Sequence, residues 1–259
     1  MSEIEFLGAL GVELLRHGEL HPEHPDHELF QTSTVQALLA GAFDGDVTLA
    51  EILEHGDLGL GTLNGLDGEL IVLDGQAWKA ELDCTLVRAD ASSKTPYAVV
   101  VAFSPGEPVA LTGPFAEADL EAHLGERVSK ATRPTAIRID GRFAQVHVRS
   151  VPRQKAPNRP LAEVIAQQQV SVLRDVSGTM IGFCFPDALD SIEMVGSHLH
   201  FLSDDRTRGG HVLSYKLLEA IAQLDGATAL HVELPEAVAV PRHGSRLDQA
   251  ALHRLESDR

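Results

Sequence analysis

The sequence predicts an α+β fold in which two related halves carry mixed β-sheets and flanking helices. The first observation is a pair of capped helical segments before residue 60, followed by short apolar runs that glycine-containing turns separate. The second is the order of these elements, which lacks the regular strand–helix alternation of a parallel sheet. The third is composition: 259 residues, of which 44% are hydrophobic, suffice for one large domain or two of moderate size.

We expect three segments along the chain. Residues 1–28 form a polar N-terminal lead-in, whose first 18 residues fit a short amphipathic helix. Residues 29–160 form an N-terminal α+β half, and residues 161–259 form a C-terminal α+β half. The boundary between the halves falls at residues 150–160, which contain three prolines. A Gly-Thr pair within a strand of each half indicates a weak internal duplication.

In the N-terminal half, threonines that can cap helices precede apolar stretches. Residues 32–34 supply N-cap candidates for a first helix, and Thr48 supplies one for a second. An Asp74-Gly75 turn then follows a predicted strand. The remaining predicted elements are strands at residues 76–82, 86–88 and 97–103, a helix at 114–124, and strands at 134–140 and 143–149 joined by a tight turn at 140–141.

The C-terminal half begins with a predicted helix at residues 161–168. Apolar runs then predict strands at 169–174 and 178–185 and around the histidines near residue 200. Residues 213–222 have partly helical periodicity, and residues 228–234 fit a strand. A short helix is expected at residues 247–255.

Charge and targeting signals exclude several classes of function. The net charge is −17, and no cluster of Lys and Arg provides the basic footprint that nucleic acid or an anionic membrane would need. Neither a signal peptide nor a transmembrane span is recognisable, and two separated cysteines fit a reducing compartment. The cytoplasm is therefore expected. The glycine-rich residues 57–68 lack the Lys-Ser/Thr of a P-loop, which argues against nucleotide binding.

Three histidines form the strongest candidate site. His198 and His200 lie two residues apart, so on a strand both side chains leave the same face. A polar segment ending in Gly-Gly can return the chain and place His211 beside them. Three protein ligands with an open position are typical of catalytic zinc, although imidazoles also suit iron, nickel or copper. The alternative is a set of ordinary surface histidines, because the chain has 13.

A glutamate and an arginine are further candidates. Glu69 shares a strand face with apolar residues, so it is either a solvated strand end or an inward-pointing carboxylate that can act as an acid or base. Arg149 shares a face with Gln145 and His147, which is either the solvent side or the wall of a polar pocket.

From about residue 29 onward, several short stretches of the chain together resemble bacterial α-acetolactate decarboxylase. The most specific of them is GSHLHFLSDDRTRGGH at residues 196–211. The others are QTST at 31–34, GDLGLGT at 56–62, LDGE at 66–69, IDG at 139–141, and Arg149 with Gln154 and Pro157. Departures from the family pattern are Ser197 and Asn158 in place of aromatic residues and Asp83-Cys84 in place of Asp-Gly. They concern the shape of the pocket and its fit to substrate.

The resemblance implies a carbon–carbon lyase of acetoin biosynthesis that converts 2-acetolactate to acetoin and carbon dioxide. It implies one zinc ion held by His198, His200 and His211, acting as a Lewis acid that stabilises an enediolate before stereospecific protonation. Glu69 and Arg149 would be catalytic, with Glu256 as a second glutamate near the C-terminus. The family is commonly dimeric, so a homodimer is expected.

Two other readings of the histidines remain. A cupin-like metal enzyme acting on another small keto or hydroxy acid also uses His-x-His on a strand, with a carboxylate a few residues on, here Asp204. A predominantly β fold would favour it. The second is a non-catalytic metal-binding module, in which Glu69 and Arg149 are surface residues.

Overall fold

The computed structural model describes residues 4–7, 10–16, 26–116, 120, 123–124, 133–155, 161–190 and 192–234. Within these residues the strands form one sheet of nine and one of five. The nine are β1 (Ile4–Leu7), β2 (Leu10–Arg16), β3 (Glu28–Thr32), β4 (Leu58–Thr62), β5 (Glu69–Leu73), β6 (Gln76–Ala80), β7 (Leu86–Arg88), β8 (Tyr97–Val101) and β14 (Ala229–Leu234). The five are β9 (Val109–Ala116), β10 (Thr135–Ser150), β11 (Gln169–Phe185), β12 (Gly196–Ser203) and β13 (Gly209–Gly226).

The nine-stranded sheet is mixed. Its strand order is β1-β2-β14-β3-β8-β4-β5-β6-β7, and β14 runs parallel to both β2 and β3, while the other pairs are antiparallel. The five-stranded sheet has the order β10-β11-β12-β13-β9 and is antiparallel. Because β13 also pairs with β10, strands β10 to β13 form a closed ring of pairs.

Short helices lie beside the sheets: α1 (Val35–Leu39), α2 (Leu49–His55) and α3 (Leu161–Ile165). The Thr34 side chain accepts a hydrogen bond from the backbone N–H of Ala37, and Thr48 forms a capping box with Glu51, so both predicted N-caps are confirmed. No helix in the described part of the chain is long and apolar enough to cross a membrane. The predicted α+β class with mixed sheets is confirmed, with strands contributing more than expected.

Apolar side chains from both sheets share one core. Leu60 and Ile71 of the first sheet belong to the same buried cluster as Phe183 and Leu202 of the second. A second buried cluster packs within the second sheet and includes Phe143 and other residues of the closed ring. Full burial of each large apolar side chain contributes about 1.5–3 kcal/mol, so the two sheets hold each other in a fixed orientation. Glu69 of the first sheet and Arg149 of the second meet where the two sheets face each other.

Several helices and turns predicted from local sequence are strands in the structure. Residues 4–7 and 10–16 are strands, whereas a helix was expected. Residues 140–141 do not form a turn: β10 runs through them, paired with β11 on one side and β13 on the other. Gly141 serves close packing of strands and not a turn. A Cβ at position 141 would lie 2.4 Å from the Ala220 side chain, so only glycine allows the strands to approach this closely.

Strand pairing also replaced one predicted helix and the beginning of another. Residues 213–222 belong to β13, where pairing with β10 and β9 outweighs the local helical pattern. Residues 114–116 end strand β9, whereas residues 120, 123 and 124 are helical, so the helix predicted at 114–124 is present only in its second part. The helix expected at residues 247–255 lies outside the described residues.

The sheets do not divide the chain at residue 160. Strands β9 and β10 precede that position and lie in the second sheet, while β14 follows it and lies in the first. The polar lead-in predicted for residues 1–28 contributes β1, β2 and the first residue of β3. The grouping into units 1–28, 29–160 and 161–259, and the duplication behind it, stay predictions.

Candidate metal centre and active-site cavity

The three histidines converge on one hairpin. Strand β12 carries His198 and His200, a turn at residues 204–208 reverses the chain, and His211 pairs directly with His200 across β12 and β13. The ring centroids are 5.0–5.4 Å apart, and one nitrogen from each ring lies within 4.8 Å of the others. The cluster has the donor types and proximity that a divalent transition metal requires.

Glycine at two positions allows this close packing of backbones. A Cβ at Gly182 would lie 2.0 Å from the carbonyl oxygen of His198, and a Cβ at Gly210 would lie 2.6 Å from that of Arg149. Gly210 also has a φ of 152°, a backbone angle that residues with a side chain rarely adopt. The Gly-Gly pair before His211 therefore allows the backbone of β13 to pack closely against β10 at Arg149.

His200 is oriented by the first sheet. Its side chain is fully buried, and its Nδ1 lies 2.8 Å from the carbonyl oxygen of Leu70 on β5. Because a carbonyl only accepts, Nδ1 carries the proton and Nε2 keeps its lone pair. In the described structure this buried Nε2 has no hydrogen-bond partner. Burial, and then the neighbouring His198 and His211, hold the pKa of His200 well below its usual range, so the ring is neutral, as a metal ligand must be.

Glu69 and Arg149 meet next to the histidines. Arg149 on β10 donates from Nη1 to Oε1 of Glu69 on β5 at 2.8 Å, and the other carboxylate oxygen lies 3.7 Å from Nε2 of His200. Both side chains are at least 92% buried. Burying an ion pair costs desolvation free energy that apolar packing would avoid, which points to a functional reason for the pair.

A cavity that is partly open to solvent adjoins this cluster. Its polar end is formed by Thr62, Glu69, Arg149, His198 and His211. The opposite walls are apolar and come from α1, α3 and the segment before β12, through Leu38, Ile165 and Met194 among others. The cavity therefore joins polar groups at one end to a surface suited to small alkyl groups at the other.

Sequence reasoning did not find Thr62, Tyr97 or the apolar walls. Thr62 is directly opposite Glu69 across β4 and β5, and directly opposite Tyr97 across β4 and β8. Residues directly opposite one another share a sheet face, so these three side chains form one row along the cavity. The sequence contains no signal for this row, because it depends on the pairing of Thr62 with Tyr97, which lies 35 positions further along the chain.

The remaining residues singled out from the sequence have different outcomes. Glu256 and Asn158 lie outside the described residues. Asp204, the carboxylate that a cupin-like site would need, is exposed in the turn between β12 and β13 and is not part of the histidine cluster. Ser197 is half-buried next to His198 and is not among the residues that line the cavity.

One buried acid lies behind the cavity wall. Glu193 is fully buried, and its Oε2 accepts a hydrogen bond from the Tyr97 hydroxyl at 2.5 Å. Burial raises the pKa of Glu193 to about 8, while the hydrogen bond from Tyr97 opposes the rise. The carboxyl group is therefore mostly protonated at neutral pH.

This raised pKa predicts a pH-dependent loss of stability. The folded chain keeps the Glu193 proton up to about pH 8, whereas the unfolded chain releases it near its ordinary value of 4.5. Between these values the unfolded chain binds fewer protons, so the free energy of unfolding falls as pH rises, by at most about 1.4 kcal/mol per pH unit. Glu193→Gln should remove this contribution. Urea unfolding of both proteins from pH 5 to 8 measures it, and parallel pH profiles would contradict it.

Known proteins match this chain over both sheets. Residues 29–240 match the family described as alpha-acetolactate decarboxylase. An alpha-acetolactate decarboxylase from Methylococcus capsulatus is 38% identical over 239 residues, 92% of each chain. One from Klebsiella aerogenes is 36% identical over 238 residues, 91% of each chain. The crystal structure of alpha-acetolactate decarboxylase from Bacillus subtilis strain 168 matches with a TM-score of 0.83 at 30% identity, covering 89% of this chain and 98% of that one.

Proposed function

The chain belongs to the alpha-acetolactate decarboxylase family of lyases, and from this premise we propose that it converts 2-acetolactate to acetoin and carbon dioxide in a metal-dependent reaction. One observation carries the proposal. Three histidines and a buried glutamate–arginine pair meet beside a cavity whose remaining walls are largely apolar.

His198, His200 and His211 would hold the metal ion, for which we propose zinc. The fit rests on the donor set: three imidazoles lie close together, and His200 presents a buried lone pair on Nε2 because its Nδ1–H donates to the Leu70 carbonyl. When bound, the metal supplies a Lewis acid that draws electron density from the ketone and hydroxyl oxygens of the substrate.

Arg149 would orient the substrate carboxylate, which leaves as carbon dioxide. The bond to the carboxylate breaks most readily when it is perpendicular to the plane of the ketone, because its electron pair then overlaps the carbonyl π system. A guanidinium group recognises a carboxylate with directed N–H donors. The hydrogen bond from Arg149 to Glu69 fixes the arginine in a buried position suited to this task.

Glu69 is paired with Arg149 as a carboxylate, so it would first take the hydroxyl proton of the substrate and then return it to the carbon that has lost carbon dioxide, and solvent would protonate the product oxygen on release. Its carboxylate contacts Arg149 at 2.8 Å and lies 3.7 Å from Nε2 of His200, so we propose that it approaches one face of the bound substrate. Protonation from one side yields a single acetoin enantiomer. We propose Glu256 as the second carboxylate of the site. The apolar walls would exclude water, which otherwise competes as a proton source.

Further parts of the proposal rest on the sequence. We propose a cytoplasmic homodimer that acts on a small-molecule substrate within acetoin biosynthesis. The charge of −17 and the missing basic cluster support an activity that involves neither nucleic acid nor membrane.

Acetoin formation before and after chelation tests the proposal. The protein as purified should release acetoin and carbon dioxide from 2-acetolactate, and prolonged dialysis against a chelator should lower the rate by at least about tenfold, because the Lewis acid contributes several kcal/mol. Adding back Zn²⁺, and separately other divalent ions, should restore the rate. Stoichiometric metal without acetoin formation would instead support a non-catalytic metal-binding module.

A further inference from the structure

The row of side chains along the cavity has a defined direction. Glu69 lies at the end next to the histidines, Thr62 lies in the middle, and Tyr97 lies at the far end. Neighbouring strands are about 4.8 Å apart, so the backbone of Tyr97 is roughly 10 Å from that of Glu69. A small keto acid bound beside the histidines would extend along this row towards the Tyr97 ring.

Glu193 fixes the position of this ring. Its carboxyl group accepts the hydrogen bond from the Tyr97 hydroxyl, and it lies in the segment that also gives Met194 to the cavity wall. The segment is itself held by α1, since the backbone N–H of Val35 donates to the carbonyl of Ile192 at 3.0 Å.

Apolar packing alone would not need a carboxyl group at this position. Burying a polar side chain costs desolvation free energy, and a leucine or methionine at position 193 would avoid that cost. What the carboxyl group provides in exchange is the directed bond to Tyr97. The ring is thereby held at one distance from Glu69.

We propose that Tyr97, held by Glu193, is a specificity-determining residue that sets the size of the alkyl group admitted to the cavity. This inference rests on the proposed function, because it concerns the substrate of the same site. Tyr97 contacts the alkyl end of the substrate, whereas Glu193 is a positioning residue that acts through Tyr97.

The test compares 2-acetolactate with two homologues that carry ethyl or propyl in place of the methyl group on the hydroxyl-bearing carbon. One methylene in an apolar pocket changes kcat/KM by about 10–200-fold. Tyr97→Phe keeps the ring but loses its anchor, and Glu193→Ala removes the anchor itself. Each should shift the kcat/KM ratio towards the larger substrates by several-fold, mostly through KM. Glu193→Gln, which retains a neutral acceptor, should keep the wild-type ratio.

A double variant separates this mechanism from general loosening. If both residues act through one hydrogen bond, Tyr97→Phe combined with Glu193→Ala should shift selectivity no more than either change alone. Unfolding temperatures are measured in parallel. Wild-type selectivity in folded, active Tyr97→Phe and Glu193→Ala proteins would overturn the inference while leaving the proposed function intact. A wild-type protein that decarboxylates none of the three substrates would overturn both.

Discussion

Replacing His200 with alanine should lower kcat/KM for 2-acetolactate by about 1,000-fold or more and remove the metal from the purified protein. A thousandfold loss corresponds to about 4 kcal/mol of transition-state stabilisation, a reasonable share for a Lewis acid. His200 is the most informative of the three histidines, because the Leu70 carbonyl fixes its tautomer and its ring is fully buried. Steady-state kinetics and elemental analysis of the same preparation measure both effects.

The matched control is His147→Ala. His147 lies on β10, as Arg149 does, but it is only half-buried and does not line the cavity. This variant should keep both metal and activity. If His200→Ala retained a full complement of metal and near-normal turnover, the three histidines would not be the metal centre. Circular dichroism of both variants checks that the strands remain intact.

The convergence of the histidines could be predicted because it is local. Alternation along a strand places His198 and His200 on one face, and a short polar turn brings His211 beside them. Glu69 and Arg149 could be singled out as candidates, but their contact could not be predicted. They are 80 positions apart and lie in different sheets, so only the packing of one sheet on the other brings them together.

The errors in the fold have a common cause. A run such as residues 213–222 was assigned from its own periodicity, yet in β13 its conformation is set by partners on both edges. The pairing of Tyr97 with Glu193 was missed for a similar reason. Neither residue has a distinctive sequence context, and the segment that carries Glu193 reaches Tyr97 only because both sheets and α1 pack around the cavity.

Glu69→Gln should lower kcat by about 100-fold or more while leaving the metal in place, as expected for a positioned acid–base group. Glutamine preserves the shape of the side chain and can still accept a hydrogen bond from Arg149, but it cannot deliver a proton at neutral pH. Since the amide also leaves the buried guanidinium without a counter-charge, some loss of stability is expected too. KM should change much less than kcat, because the loss concerns the chemical step.

The comparison that isolates this role is Glu81→Gln, the same substitution at a partly exposed glutamate whose partner is Lys79 at 3.1 Å. It should leave kcat unchanged, because a surface pair contributes little. Metal content, unfolding temperature and acetoin enantiomer are measured for both variants. A slow Glu69→Gln enzyme that is folded, metal-loaded and yields a racemic product would identify Glu69 as the group that protonates one face. Near-normal turnover would remove Glu69 from the mechanism and leave Glu256 as the carboxylate to test.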